Sequence, residues 1–161
     1  METRLEQEIG NLLRERGLTI AIAESSTGGL ISHLITDVPG SSSYFKGTVV
    51  AYDNEVKIKI LGVKRETLEK YKSVSYQTGE EMAQRVREAL DADIGLSETG
   101  IAGPTSGSSG KRVGLFYIGL SSRHGNRVRE HIFHGDRLES KQSAAQAALA
   151  MLKEYLQELK G

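Results

Sequence analysis

The sequence predicts one compact α/β domain in which a mixed β-sheet is flanked by helices. Along its 161 residues, short apolar or β-branched segments typical of strands alternate with segments whose apolar residues recur at helical spacing. An apolar segment at 18–23 leads through a small polar loop into a helical pattern, which is the layout of many α/β sites. Two consecutive strand-like segments near the carboxyl end indicate an antiparallel hairpin, and therefore a mixed sheet. No repeat or linker divides the chain, so we expect residues 1–161 to form a single domain.

The first four elements alternate between helix and strand. Apolar residues recur at helical spacing over residues 3–16, and Gly17 stops this amphipathic helix. The apolar run 18–23 fits a buried strand, and the pattern over 30–35 predicts a second helix. Residues 44–52 are rich in β-branched and aromatic side chains and predict the next strand.

The rest of the chain continues with three helices, three strands and a long final helix. The predicted elements are helices over about 54–61, 66–71 and 75–90, strands over 93–97, 113–121 and 127–133, and a helix over 136–159. Asp53 or Asn54 can cap the first of these helices, and Ser75 or Thr78 the third. The last two strands join near residues 124–126 as a hairpin.

Composition limits the classes of partner. The chain has 21 basic and 21 acidic residues, and this zero net charge argues against broad nucleic-acid binding but not against a small anionic ligand. The absence of cysteine excludes disulfides, a thiol nucleophile and cysteine metal sites, and fits a reducing compartment. No apolar run approaches the roughly 18 residues of a membrane span, and residues 1–17 lack an apolar signal core. We therefore expect a cytoplasmic protein with no membrane partner.

The first candidate site is the small polar loop before the second helix. It consists of Ser25, Ser26, Thr27, Gly28 and Gly29. Its hydroxyls could cap the helix, its glycines could let an anion approach the helix N-terminus, or a serine could act as a nucleophile beside backbone N–H groups. From the residues alone capping ranks first, anion binding second and the nucleophile third, and the loop matches neither G-x-S-x-G nor a Walker A sequence.

The second candidate is a glycine-containing loop after the 93–97 strand. It consists of Thr99, Gly100, Ile101, Ala102 and Gly103, followed by a serine- and glycine-rich stretch at 105–110. Two glycines after an apolar strand indicate a backbone cradle, and a surface loop is an equal alternative. Residues 107–111 (GSSGK) superficially resemble a P-loop, but the spacing to an earlier glycine is wrong.

The third candidate is the segment Tyr52–Lys57. A serine nucleophile without a histidine needs another base, and a desolvated lysine can serve because burial disfavours its charged form. Tyr52 at a strand end and Lys57 one helical turn later could both face one cleft. By base rate alone, Lys57 is more often a solvated helix charge.

Two other patterns are treated as chance. Ser43 and Lys46 match S-x-x-K, but a strand sends residues three apart to opposite faces. His131 and His134 are also three apart in a predicted strand, and no cysteine or H-E-x-x-H accompanies them, so we expect no metal site. Residues 39–43 read as a loop by composition.

Taken together, five segments resemble signatures of the CinA C-terminal domain family, named for the competence/damage-inducible protein. They are AESSTGG at 23–29, DVPGSS at 37–42, VAYDNEVK at 50–57, TGIAGP at 99–104 and GDR at 135–137. The resemblance runs from about residue 5 to 157. It implies an α/β/α-type domain, commonly self-associated, that hydrolyses the carboxamide of nicotinamide mononucleotide to nicotinate mononucleotide and ammonia without a metal or organic cofactor. The implied role is pyridine-nucleotide recycling, and a homodimer is expected.

The resemblance also assigns roles to residues. It implies Ser25 as the nucleophile, Lys57 as its partner base and Tyr52 as a tyrosine that helps to move protons. Neutral Lys57 would accept the Ser25 proton directly or through Tyr52. Backbone N–H groups near Gly28, Gly29 or the 100–103 loop would hold the oxyanion.

The same resemblance predicts the substrate-binding residues. The 100–103 loop, Lys111 and Arg137 are candidates for the 5′-phosphate. The full predicted set comprises Ser26, Thr27, Gly28, Gly29, Thr99, Gly100, Ile101, Ala102, Gly103, Lys111 and Arg137.

The chain departs from the family pattern at four places. Ser26 stands where the family has cysteine, and Ser106 and Arg112 replace an expected glycine and proline. Glu98 adds an acidic group where the family is often apolar or small, and it would repel a phosphate if it faced the pocket. Two alternatives to the amidase therefore stay open: a non-catalytic nucleotide-binding module, and an amidase for a different amide.

Overall fold

Five strands form one mixed sheet. The computed structural model describes residues 3–107 and 110–159, so Ser108 and Ser109 of the P-loop-like stretch lie outside the described residues. The strands are β1 (Ile20–Glu24), β2 (Phe45–Val50), β3 (Ile94–Gly100), β4 (Leu115–Ser122) and β5 (Gly125–Ile132). Their order in the sheet is β2-β1-β3-β4-β5. β1 pairs in parallel with β2 and β3, whereas β3–β4 and β4–β5 are antiparallel, so the predicted mixed sheet is confirmed.

Six α-helices accompany the sheet in the described part of the chain. They are α1 (Leu5–Arg16), α2 (Leu30–Thr36), α3 (Asn54–Lys59), α4 (Arg65–Tyr71), α5 (Tyr76–Ala89) and α6 (Arg137–Glu158). Gly17 ends α1 in the left-handed conformation, as predicted. Asp53 caps α3, Ser75 caps α5, and Asp136 caps α6 in a capping box with Glu139.

The helices cover both faces of the sheet. On β1, Ile20 and Ile22 pack into a core with α1, α2 and α6, while Ala21 and Ala23 face a second core built with α3, α4 and α5. A strand buried on both faces is typical of parallel sheets and accounts for the unbroken apolar run in the sequence. The result is the three-layer α/β/α arrangement that the resemblance implies.

Two segments differ from the sequence prediction. Residues 39–43 were expected to be a loop, but Ser41–Ser43 form one turn of 3-10 helix that begins after Gly40 in the left-handed conformation. The strand expected over 93–97 extends to Gly100 as β3, because residues 95–100 continue in antiparallel register with β4. Long-range pairing therefore places Thr99 and Gly100 at the end of a strand.

Helix α5 lies very close to β3, and this approach requires a glycine. A Cβ atom on Gly95 would lie 2.0 Å from the carbonyl oxygen of Ala83, which is backbone and cannot turn away. By contrast, a Cβ on Gly79 of α5 would meet its nearest neighbour, Tyr117 Cβ, at 3.4 Å. The backbone of β3, whose carboxyl end reaches the site, is thus fixed by this contact.

Replacing Gly95 tests this packing. Gly95→Ala should lower the free energy of unfolding by about 1–3 kcal/mol or more, because α5 must move away from β3. Urea unfolding should show a lower midpoint at an unchanged slope. The matched control is Gly79→Ala, which should be neutral or stabilise α5 by up to about 1 kcal/mol. Equal effects from the two variants would contradict the close-approach explanation.

Candidate active site

The loops after β1, β2 and β3 surround one cavity. These parallel strands end at the same edge of the sheet. β1 lies between β2 and β3, and the helices that lead to these two strands cross opposite faces of the sheet. Open α/β sheets bind ligands at such a point. The cavity has a volume of about 330 Å³, at the small end of the range for ligand pockets. Its described lining residues are Ser25, Ser26, Tyr52, Lys57, Ser73, Val74, Thr99, Gly100, Ile101, Ala102, Gly103, Thr105, Ser106, Gly107 and Arg137.

Ser25 and Lys57 meet in this cavity. The Lys57 amine (Nζ) donates to Ser25 Oγ at 3.0 Å and to the backbone carbonyl of Tyr52 at 3.1 Å. Both side chains are buried, with Lys57 1% and Ser25 7% exposed. The Asp53 cap fixes where α3 begins, so Lys57 lies one turn later and points back to the end of β1. The alternative interpretation of Lys57 as a solvated helix charge is excluded.

Burial changes the acid–base chemistry of Lys57. Desolvation lowers the pKa of its amine from 10.5 to about 8, while the negative charges of Glu98 and, to a smaller extent, Asp53 act in the opposite direction. At pH 7 about one amine in ten is then neutral, compared with roughly one in three thousand for an unshifted lysine. A neutral amine at this distance can accept the hydroxyl proton of Ser25.

The Ser25–Gly29 loop wraps around two buried carboxyl groups. Glu24 Oε1 accepts the N–H groups of Gly29 and Ile31, at 3.1 and 3.0 Å, and Glu24 Oε2 accepts the N–H and hydroxyl of Ser32, at 2.9 and 2.7 Å. Thr27 Oγ1 lies 2.6 Å from Glu24 Oε1 and 2.7 Å from Glu98 Oε1. A protein carboxylate therefore already holds the N-terminal N–H groups of α2 that an external anion would need.

This arrangement decides between the three interpretations of the loop. Glu24, and not a loop hydroxyl, satisfies the start of α2, and the same contacts leave no helix N-terminus for a phosphate. The N–H groups of Gly28 and Gly29 donate to Ser25 O and Glu24 Oε1, and neither glycine lines the cavity. The geometry does not support the prediction that these two glycines hold an oxyanion. The nucleophile interpretation, ranked third from the residues, stays a prediction.

Glu98 does not face the pocket. It is fully buried and does not line the cavity, so the expected repulsion of a phosphate does not arise from a facing carboxylate. Its oxygens accept the N–H groups of Ser25 and Thr27, each at 3.0 Å, and the hydroxyl of Ser26. Ser26 and Glu98, two of the departures from the family pattern, are thus in direct contact.

Tyr52 and Arg137 lie together at the rim of the cavity. Arg137 Nη2 donates to the Tyr52 hydroxyl at 3.1 Å, and Arg137 Nη1 donates to the carbonyl of Gly103 at 2.6 Å. The Tyr52 side chain is largely exposed, and the Lys57–Ser25 contact is direct. Proton exchange between Lys57 and Ser25 therefore does not require a bridging phenol.

Thr99 and Lys111 bind the segment 71–74, part of which lines the cavity. The Thr99 hydroxyl donates to the carbonyl of Ser73 at 2.6 Å, and the Lys111 amine donates to the carbonyls of Tyr71 and Val74. Lys111 does not line the cavity, and neither does Thr27. Residues 73–74 also line the cavity, but they were not predicted because they stand next to no recognisable motif. The buried roles of Glu24 and Glu98 were not predicted either, although a glutamate at the end of or inside an apolar strand is a usable signal.

A larger basin of about 1130 Å³ lies at the opposite edge of the sheet and contains none of the predicted site residues. It is lined by Glu15, Arg16, Leu18, Arg87, Ala92, Asp93, Ile94, Arg123, His124, Arg127, Tyr155, Glu158 and Leu159. Helices α1, α5 and α6 end there, and basic side chains are favoured near helix C-termini. Arg87 donates to Ser121, Arg123 to His124 and Arg127 to Glu158, so three of its four arginines already have protein partners.

Residues 3–107 and 110–159 contain no group of three or more His, Cys, Asp or Glu arranged to hold a metal ion. No helix among them is long and apolar enough to cross a membrane.

The chain is thus an α/β/α domain in which a buried lysine contacts a serine at a strand-to-helix turn. A model of the CinA C-terminal domain matches residues 2–156, and the chain belongs to that family. It is 54% identical over 156 residues to a relative from Halothermothrix orenii whose name refers to a competence-damage inducible protein, covering 96% of this chain. It is 53% identical over 136 residues to a CinA-like protein of Dictyoglomus thermophilum, covering 84% of this chain and 33% of that protein.

The solved structures agree with the fold. The crystal structure of the competence damage-inducible protein A (ComA) from Klebsiella pneumoniae superposes with a TM-score of 0.93 at 29% identity, over 97% of each chain. The chain spans only 38% of the length of the Halothermothrix orenii relative.

Removing the Lys57 amine tests its burial. Lys57→Met should raise the free energy of unfolding at pH 7 by at most about 3 kcal/mol, because the unfolded chain solvates the charge that the fold desolvates. The pKa of Lys57 is about 8 in the folded chain and 10.5 in the unfolded chain. The gain in free energy of unfolding over wild type should therefore be full below pH 8 and vanish as the pH rises to 10.5. Thermal unfolding of variant and wild type at pH 7 and 9.5 measures this gain. Lys59→Met, at an exposed position on the same helix, is the control and should leave the stability unchanged at both pH values. A Lys57→Met protein that is no more stable than wild type at pH 7 would contradict the desolvation of the Lys57 amine.

Proposed function

We propose that the chain is an amidohydrolase of the Ser–Lys type that acts on the carboxamide of nicotinamide mononucleotide. The observation that carries this proposal is the 3.0 Å contact between a buried amine of lowered pKa and a buried serine hydroxyl inside a ligand-sized cavity. Such a pair has the composition that nucleophilic catalysis requires when no histidine is present. Membership of the CinA C-terminal domain family supports the choice of substrate.

The reaction follows from this pair. Neutral Lys57 takes the Ser25 proton while Ser25 Oγ attacks the carboxamide carbon and forms a tetrahedral oxyanion. The Lys57 ammonium then protonates the departing nitrogen, the C–N bond breaks and ammonia leaves an acyl ester on Ser25. Water attacks this ester, gives a proton to Lys57, and the acid is released as Ser25 recovers its proton. Turnover therefore rises with pH as Lys57 loses its proton, with a midpoint at a pH of about 8.

The oxyanion needs N–H donors that the fold has not already used. Within the described residues, the backbone N–H groups of Ser26 and Ala102 have no acceptor, and both residues line the cavity. We assign the oxyanion to these two groups in place of Gly28 and Gly29. The N–H of the residue after a nucleophile serves the same purpose in α/β-hydrolases. Such a donor lowers the activation barrier by about 3–4 kcal/mol in other acyl-transfer enzymes.

Arg137 is assigned to the 5′-phosphate. Apart from Lys57, it is the one cationic side chain among the described residues that line the cavity. Its hydrogen bonds to Gly103 and Tyr52 fix the guanidinium at the rim, and a planar guanidinium suits a phosphate. In this proposal Tyr52 has two positioning contacts: its hydroxyl accepts a hydrogen bond from Arg137, and its backbone carbonyl accepts one from the Lys57 amine. No metal or organic cofactor enters the proposed reaction, and a homodimer remains our expectation from the family.

Ser25→Ala tests the proposal directly. Purified protein should release ammonia from nicotinamide mononucleotide, and Ser25→Ala should lower the rate by at least about 10³-fold because no nucleophile remains. The control is Ser43→Ala, the serine of the coincidental S-x-x-K pattern, which should keep full activity.

The outcomes separate the competing functions. Activity that survives in Ser25→Ala would remove Ser25 from its assigned role. Nucleotide binding without any turnover would favour the non-catalytic module. Ammonia from other amides, but not from nicotinamide mononucleotide, would favour a different substrate.

Arg137→Gln tests phosphate recognition. The KM for nicotinamide mononucleotide should rise by about 10- to 100-fold, since a charge-assisted contact is lost, with a smaller change in kcat. The KM for nicotinamide riboside, which lacks the phosphate, should hardly change. Arg129→Gln, which alters an exposed ion pair with Glu154, is the control. An equal loss of affinity for both substrates would place the phosphate elsewhere.

A further inference from the structure

The carboxyl group of Glu98 organises the segment that carries Ser25, and the reaction above gives it no role. It accepts hydrogen bonds from the N–H groups of Ser25 and Thr27, both at 3.0 Å, and from the Ser26 hydroxyl. The Thr27 hydroxyl lies between it and Glu24 and has one proton for the two carboxyl groups. Three donors from three consecutive residues thus converge on one side chain of the neighbouring strand β3.

We propose that Glu98 is a positioning residue for the Ser25–Lys57 pair: its carboxyl group fixes the backbone on both sides of Ser25 and holds the serine hydroxyl against the amine. The bond to the Ser25 N–H sets where the serine side chain begins, and the bonds to Thr27 prevent the loop from turning away. This inference rests on the proposed function, because it concerns the geometry of that reaction.

Packing alone does not explain an acidic residue at this position. Glu98 is fully buried in β3 and stands opposite Ile118 of β4, in a sheet whose other inward side chains are mostly apolar. Burying a carboxyl group without partners is costly, so its presence requires the donors that the loop supplies. The loop in turn has two backbone N–H groups that would lack an acceptor if Glu98 were apolar.

The charge of Glu98 has a second effect. Two negative charges act on the Lys57 amine, Glu98 on β3 and Asp53 at the start of α3, while Arg137 lines the same cavity and Glu24 precedes Ser25 at the end of β1. Glu98 contributes the larger of the two attractions that hold the Lys57 pKa up against desolvation, ahead of Asp53. The residue that holds the serine therefore also raises the pH at which the base becomes neutral.

Two substitutions separate these effects by kinetics. Glu98→Ala removes the acceptor and should lower kcat on the order of 10²-fold through misplacement of Ser25, with little change in KM because Glu98 does not line the cavity. Glu98→Gln keeps an acceptor oxygen for the two N–H groups but removes the charge. It should restore kcat above pH 8 to within a few-fold of wild type and move the acidic limb of the pH profile to lower pH.

The matched control is Asp53→Asn. It also removes a negative charge near Lys57, keeps a good helix cap, and does not contact the Ser25 loop. It should lower the kcat measured above pH 8 less than Glu98→Ala does, and move the acidic limb less than Glu98→Gln does. A shift in Asp53→Asn as large as in Glu98→Gln would overturn the dominant role of Glu98.

Nuclear magnetic resonance tests the same proposal without turnover. The side-chain signal of Lys57 should titrate at lower pH in Glu98→Gln than in wild type, and the amides of Ser25 and Thr27 should exchange faster in Glu98→Ala. These results would stand even if no substrate yielded ammonia, so failure of the amidase proposal is distinguishable. An unmoved Lys57 titration together with amides that stay protected would overturn the positioning role. If Glu98→Ala does not fold, the titration and pH profile of Glu98→Gln decide alone.

Discussion

A buried amine that touches a buried hydroxyl is the constraint from which the rest of this cleft follows. An exposed lysine is almost fully charged at neutral pH and cannot take a proton from serine, so the Lys57 amine must be desolvated to act as a base. Desolvation requires α3 to begin at a fixed residue after β2, and Asp53 supplies that start. It also requires a partner for each N–H of the amine, which the Ser25 hydroxyl and the Tyr52 carbonyl provide in part. A group that is costly to bury is therefore held by short, local contacts from two adjacent parallel strands.

The turn that presents Ser25 is built around protein carboxyl groups in place of a bound anion. Glu24 takes the first N–H groups of α2, and Glu98 takes those of the turn itself. A phosphate-binding loop leaves the same kind of groups open for its ligand. Because these donors are used internally, the turn offers no open N–H groups to an external anion. Under the proposed function, the phosphate of the substrate is bound instead by Arg137 at the start of α6, which lines the cavity.

The sequence was sufficient to predict most of the fold, because the helices and strands follow from apolar periodicity and from caps such as Asp53. The strand β3 was predicted three residues too short, since its last residues pair with β4 and nothing local in TGIAGP indicates that pairing. In the site, base rates alone favoured a solvated charge for Lys57, because its burial depends on tertiary packing that the local sequence does not show. The ranking of the Ser25 loop failed for a related reason: the side chain that caps α2 is Glu24, which precedes the loop. Contacts between residues 73 positions apart, such as Glu98 with Ser25, leave no periodic trace in one sequence.

The two demands on Glu98 oppose each other, and the geometry resolves them in one way. A carboxylate close enough to hold the Ser25 loop also attracts the charged form of Lys57 and so reduces the fraction of the amine that is neutral at pH 7. Desolvation outweighs this attraction, because the pKa of Lys57 is still lowered to about 8. An arginine or lysine could not replace it, because the loop presents donors and needs an acceptor. An apolar side chain would leave those donors unpaired beside the nucleophile. A buried carboxyl group that accepts the N–H groups of Ser25 and Thr27 is thus the side chain that can fix the serine while desolvation keeps part of the lysine neutral.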